Sequence, residues 1–311
     1  MRLHISLAAV AGAMLLAASG CGSASGSSGG SDGADTLRYA AVPAEQNIDP
    51  TVKYGNIIKL VEKETGKKVQ FVRSTDYNAV IEGMVSGKID IAEFGPLSYV
   101  LAKTNGAKIT PIASMVEKGQ PPTYQSYGIV PKNSSIKDIS GFRGKKVCFV
   151  DPSSTSGFLF PTAGLQTAGI NAKTGVTPVM AGGHDNSVLS VASGKCDAGF
   201  SENAMVDTIL PSKGQLKPGD VRVVWKSAPI PQSPVAIRDG LPADVKAKLV
   251  QTFTKDANKD RMVQLGVCKD TAHCQVTSDA SMWGFAPVTD ATFDPIRKVC
   301  AATKNESCSK A

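Results

Sequence analysis

The chain has 311 residues, of which 42% are hydrophobic and 20% charged, enough to bury a substantial core and to divide into two lobes. Its formal charge of +7 is spread as single lysines with no long basic block, and only 6% of its residues are aromatic. That pattern argues against a nucleic-acid partner and leaves a surface that favours small anions.

Met1-Arg2, the apolar segment Ile5 to Ala18, and Ala18-Ser19-Gly20-Cys21 read as a secretory signal over residues 1–20 ending in a lipobox. Ala18 stands where such motifs usually carry leucine. The apolar core is shorter than the roughly 20 residues of a spanning helix. The expectation is therefore removal of the signal, with Cys21 lipidated and anchored to the outer face of the membrane. Residues 21–35 form a Gly/Ser-rich tether that cannot bury a core. The G-x-S-x-G pattern at Gly26, Ser28 and Gly30 lies inside it, without the strand and helix that a nucleophile elbow requires.

From there, Thr36 to Val42 reads as a strand ended by Pro43 and Lys53 to Thr65 as a helix stopped by Gly66. Val69 to Val72 is a second strand, and Asp76 caps a helix over Tyr77 to Ser86. Ile89 to Gly95 is a short strand and turn, and a helix over Leu97 to Lys103 follows Pro96. This alternation implies a parallel sheet. Ile109 to Met115 comes next, and Tyr127 to Pro131 is a strand at which the chain is expected to cross into a second lobe. That lobe would hold a strand Lys146 to Val150, a helix Leu159 to Ala168, a strand Thr177 to Met180, a helix Asn186 to Ser193 and a strand Cys196 to Phe200. Val85 to Ala92 and Val191 to Ala198 echo one another as helix end, Gly-Lys turn and Asp-bearing strand, which suggests two similar lobes. Val221 to Lys226 is a strand, Pro229 to Ile237 an extended return crossing, and a helix starts near Leu241. Residues 36–130 with 236–311 would then form one lobe and 131–235 the other.

With Cys21 set aside, six of the seven cysteines remain, an even number that argues for disulfides in an exported chain. Cys268–Cys274 and Cys300–Cys308 are favoured as local pairs, leaving Cys148 for Cys196; spacing alone permits other connectivities. His273 beside Cys274 fits no familiar zinc spacing, and neither a metal nor a cofactor is expected.

The chain is organised around Asp151-Pro152-Ser153-Ser154-Thr155-Ser156-Gly157, between an apolar strand and a helix start. Three successive hydroxyls beside free helix N–H groups can cradle an oxyanion. The simpler alternative is that one of them merely caps the helix.

Together with Asp76-Tyr77, Phe94-Gly95-Pro96-Leu97-Ser98, Gly183-His184, Ser201-Glu202-Asn203 and Pro229-Ile230-Pro231, this stretch resembles the phosphonate and phosphite substrate-binding proteins of ABC importers. The resemblance implies a two-lobed α/β protein of the type II periplasmic-binding-protein fold, with hinge crossings between lobes, closing as a monomer on a phosphorus oxyanion and delivering it to a permease. It further implies that Ser154, Thr155 and Ser156 hold the PO₃ group, that His184 and Tyr77 contact the ligand, and that Glu202 meets its remaining side. Phe94 and Ser233 depart from the family's usual tyrosine and acidic residue. The loss of a carboxylate at Ser233 favours phosphite or a simple alkylphosphonate over an aminoalkyl ligand.

Two other readings compete. A serine hydrolase could use Ser156 with His184, although no third residue is evident to orient the histidine. An envelope sensor could use the same fold to report a ligand.

Overall fold

A computed structural model describes residues 35–46, 48–305 and Cys308. The signal, Cys21 and nearly all of the tether lie outside the described residues. In chain order the strands are β1 (Thr36–Ala41), β2 (Lys68–Val72), β3 (Ile91–Glu93), β4 (Ile109–Val116), β5 (Thr123–Tyr124), β6 (Ser126–Pro131), β7 (Lys146–Phe149), β8 (Thr177–Met180), β9 (Ala198–Glu202), β10 (Val221–Lys226), β11 (Ile230–Pro231), β12 (Pro234–Arg238) and β13 (Gly284–Pro287).

Local chemistry sets most of the element ends. Helix Pro50–Thr65 begins three residues before the expected Lys53, because the Asp49 side chain accepts the Thr51 N–H and Pro50 occupies an early position that needs no donor. It stops where Gly66 adopts φ 71°, a left-handed conformation that costs glycine little. Helix Tyr77–Val85 starts from Asp76, whose side chain accepts from Ala79.

The strands form two main sheets, ordered β13-β4-β12-β3-β1-β2 and β10-β6-β9-β7-β8. Omitting β13, they match strand for strand. In each, three strands run parallel (β3-β1-β2 and β9-β7-β8), and the next two, β12-β4 and β6-β10, pair antiparallel. The sheets are thus mixed where an all-parallel sheet was expected, because strands that return from the other lobe enter without a crossover helix.

The sequence echo is a structural one. Asp90 accepts the Arg38 N–H at 3.0 Å while its own N–H donates to the Arg38 carbonyl at 2.9 Å. Asp197 does the same with Lys146, at 2.9 Å in both directions. Each aspartate pins its Gly-turn strand to the middle strand of its parallel trio.

Between the sheets, β5 and β11 pair antiparallel as a short ribbon, through which the chain leaves and re-enters the first lobe. Strand β6 already belongs to the second sheet, which differs from the expected division after residue 130. An apolar run such as Tyr127-Gly128-Ile129-Val130 carries no mark of the sheet it will join. Each sheet is packed on both faces by a buried apolar cluster. The disulfides pair as favoured: Cys148–Cys196 ties β7 to the segment entering β9, Cys268–Cys274 closes a loop, and Cys300–Cys308 staples the end of helix Asp294–Thr303.

Candidate anion-binding site

The carboxyl ends of β3, β7 and β9 face one another across the lobes, where open α/β sheets place their ligands. They enclose a cavity of about 70 Å³, room for a few waters or one small oxyanion. Tyr77, Phe94, Ser154, Thr155, Ser156, His184, Glu202 and Ser233, all singled out from sequence, line this one cavity.

The hydroxyl loop is held from within and from both lobes. The Asp151 carboxylate accepts the Ser153 N–H at 2.7 Å, and burial raises its pKa while N–H donors from Ser153 and Tyr77 oppose the shift. The Ser154 hydroxyl accepts the Gly157 N–H at 3.1 Å, so Ser154 caps the helix as the simpler reading held, and it also lines the cavity. The following turn, Thr155–Leu159, is a π-helical one that runs into helix Phe160–Thr167. It places Thr155 and Ser156 in the first turn, where backbone N–H groups lack helical acceptors. Gly157 is required there: a β-carbon would sit 2.3 Å from that of Val150. Thr155 accepts the Leu97 N–H from the first lobe at 2.7 Å, which leaves its own proton free to donate. The hydroxyls of Tyr77 and Tyr124 lie against Ser154 and against Ser156 and Thr155, respectively.

His184 opens helix His184–Ala192 and donates its backbone N–H to Ala44 of the first lobe at 2.8 Å. Its Nδ1 accepts the Glu202 N–H at 3.0 Å, with the Ser201 hydroxyl at 3.3 Å. That bond assigns the proton to Nε2, making the ring a neutral donor. Burial pushes its pKa down to about 3. Its Nδ1 accepts a backbone N–H where a hydrolase triad would hold a carboxylate, and burial disfavours the protonated ring that a general base for Ser156 would have to become.

The remaining wall is carboxylate-rich. Burial raises Glu202 to about 7, opposed by Lys53 and reinforced by Glu45, Asp279 and Glu93. Glu93 is likewise raised by burial and lies 3.4 Å from the Tyr39 hydroxyl that donates to it. Lys53, on the first helix and 8% exposed, pairs with Glu45 at 3.3 Å, and Lys213 of the second lobe closes onto the other Glu45 oxygen. Phe94 contributes an apolar wall, with its ring edge-on to Tyr99. Ser233 contributes a short, uncharged side at the return crossing.

Sequence reasoning missed Lys53, Glu93, Tyr124 and Asp279, all of which line the cavity. Glu93 left a readable signal, an acid ending the apolar run Ile89-Asp90-Ile91-Ala92 at a strand's carboxyl end. Lys53 left none, since a lysine on an amphipathic helix is ordinarily solvated.

The model of the family described as "ABC transporter, phosphonate, periplasmic substrate-binding protein" matches residues 39–293. The Phosphate-import protein PhnD of Mycolicibacterium smegmatis is 44% identical over 99% of each chain. The binding-protein component of a Pseudomonas aeruginosa ABC phosphonate transporter superposes with a TM-score of 0.75 at 22% identity, covering 86% of each chain. Prochlorococcus marinus PhnD1, solved with methylphosphonate, gives 0.70 at 19% identity over 87% of this chain and 99% of that one. These neighbours share the type II periplasmic-binding-protein fold. The two-lobed cavity, its hydroxyl loop and this match over most of its length lead to one conclusion: the chain belongs to the phosphonate-type periplasmic substrate-binding proteins of ABC transporters.

Proposed function

We propose that the cavity takes a small tetrahedral phosphorus oxyanion, inorganic phosphate ahead of phosphite and methylphosphonate, and that the protein hands it to a membrane permease. The observation that carries the reading is that hydroxyl and imidazole donors and two carboxylates line one space of about 70 Å³. Ser154, Thr155, Ser156 and the Nε2–H of His184 supply donors, and Glu202, which adjoins His184, and Glu93 supply acceptors. Three phosphorus oxygens satisfy the donors. The fourth position then faces carboxylates, where a P–OH can donate, whereas the P–H of phosphite or the methyl of methylphosphonate leaves a buried acceptor unpaired at a cost of about 1–3 kcal/mol. The name of the 44%-identical relative agrees with phosphate. This reading differs from the preference for phosphite or a simple alkylphosphonate that followed from Ser233 alone.

Calorimetric titration of the domain from Asp35 onward with phosphate, phosphite, methylphosphonate, 2-aminoethylphosphonate and sulfate tests this directly. Phosphate should bind tightest and sulfate weakly. Tighter binding of 2-aminoethylphosphonate would assign the carboxylate wall to an ammonium group instead.

The reading extends to residues 1–20 as a cleaved signal and to Cys21 as a lipid anchor that keeps a monomeric receptor near its permease. Cys21→Ala should release the protein from the membrane fraction.

A further inference from the structure

Among the described residues, the charged side chains that line the cavity are Glu93, Glu202 and Asp279 and the single cation Lys53, which is itself paired with Glu45, a carboxylate that also binds Lys213. The oxyanion cradle adds no formal charge, because its donors are hydroxyls, N–H groups and a neutral imidazole. A phosphorus dianion closed into this space would add two negative charges to a site whose carboxylates already outnumber its cations. Buried charge without a partner is among the costliest arrangements in a protein.

We propose, resting on the oxyanion reading above, that each oxyanion is bound together with one proton taken from solution, held between a ligand oxygen and the Glu202 carboxylate. Glu202 is the natural carrier. It ends β9 directly opposite Ser126 of β6, and its backbone N–H is spent on His184. The charged groups that act on it are Lys53 from the first helix, Glu45 from the loop after β1, Glu93 from β3 and Asp279 from the segment before β13. The phenols of Tyr77 and Tyr124, on the helix and ribbon beside the cradle, also lie within its field. Lys53 is already paired with Glu45, which in turn also binds Lys213. Asp279 accepts from Thr208 at 3.1 Å and from the Ser281 N–H at 3.0 Å. Glu93 has Tyr39. Glu202 is therefore the carboxylate whose side chain the ligand must satisfy, and burial already favours its protonated form.

The proton belongs to the specificity of the site. An anion that can share a hydrogen with Glu202 is accepted. Sulfate, which stays fully ionised, can be accommodated only if the carboxylate alone carries the proton.

The test is titration of inorganic phosphate into the domain at about pH 8 in buffers of different ionisation enthalpy, which counts protons, together with Kd measured across pH. Wild type should take up about one proton per phosphate, and its affinity should fall up to about tenfold per pH unit as the solution becomes more alkaline. Glu202→Gln keeps the shape and removes the charge, so its proton count should drop towards zero and its pH slope should flatten. Binding by wild type with no proton exchange overturns the proposal, and so does an undiminished proton count in Glu202→Gln, which would place the proton elsewhere. Failure of wild type to bind any phosphorus oxyanion at any pH overturns the functional reading itself, and this inference with it.

Discussion

Ser154 puts one hydroxyl to two uses. Its oxygen accepts the Gly157 N–H while its proton remains for the cavity. Ser154→Ala should therefore lose about 1 kcal/mol of stability as a cap and weaken phosphate binding by about 10- to 100-fold, the worth of a hydrogen bond to a charged group. His184→Ala should weaken binding comparably without loss of the cap, whereas Ser281→Ala, outside the cavity lining, should leave the titration curve unmoved; equal affinities for all three variants would refute the cradle. His184 and Glu202 also set opposite pH slopes in the ligand-free protein. The histidine's pKa falls from 6.5 to about 3 on folding, so between those values the unfolded chain takes a proton that the native state refuses, and stability drops as pH falls. The pKa of Glu202 rises from 4.5 to about 7, so its contribution is complete below about pH 4.5 and fades as pH climbs through 7. Urea titrations should show His184→Gln losing less stability than wild type between about pH 6.5 and pH 4.

Among the elements, the paired helix-turn-strand units show how far sequence periodicity reaches and where it stops. The Gly-Lys turns and their aspartates were legible because a left-handed glycine and a strand-starting carboxylate are local requirements; Gly87 and Gly194 have φ of 69° and 74°. What the repeat does not disclose is that its two aspartates are unequal. Asp90 is 3% exposed and is bridged by both Arg38 and Arg238, whereas Asp197 is exposed and holds the Lys146 N–H. Asp90→Ala should cost about 2–3 kcal/mol, a value discounted because both arginines reach solvent, and Asp197→Ala about 1 kcal/mol or less. Chemical denaturation of the two variants checks this, and equal losses would show that Arg238 adds nothing to the first lobe.

For the molecule as a whole, the lobes meet through the apolar cluster that joins Val150, Leu159 and Phe160 to the first lobe and through polar contacts. Leu97 donates to Thr155, Ser153 to Asn78 at 2.9 Å, His184 to Ala44, and the Gln46 side chain to the Gly182 carbonyl at 2.7 Å. One of these shares its atom with the ligand cradle, so ligand and closure are coupled through the Thr155 hydroxyl. Thr155→Val keeps the volume but strands the Leu97 N–H when the lobes meet, at about 1–3 kcal/mol. Small-angle scattering should show a larger radius of gyration than wild type at equal phosphate concentration. An unchanged radius would mean that the other interlobe bonds suffice.

By itself the sequence determined the order of elements, their caps and stops, the hydroxyl loop, and the eight lining residues, because each rests on chemistry within a few positions or on an ordered set of short motifs. It also made the disulfide pairs the favoured ones, two of them because their cysteines are near neighbours. Only the tertiary structure decided that β6 joins the second sheet, that Lys53 is buried against Glu45, and that Glu93, Glu202 and Asp279 converge on the same small space. Those residues are spread between positions 45 and 279, and charge balance depends on distance in space. No local pattern encodes how many carboxylates will face one anion.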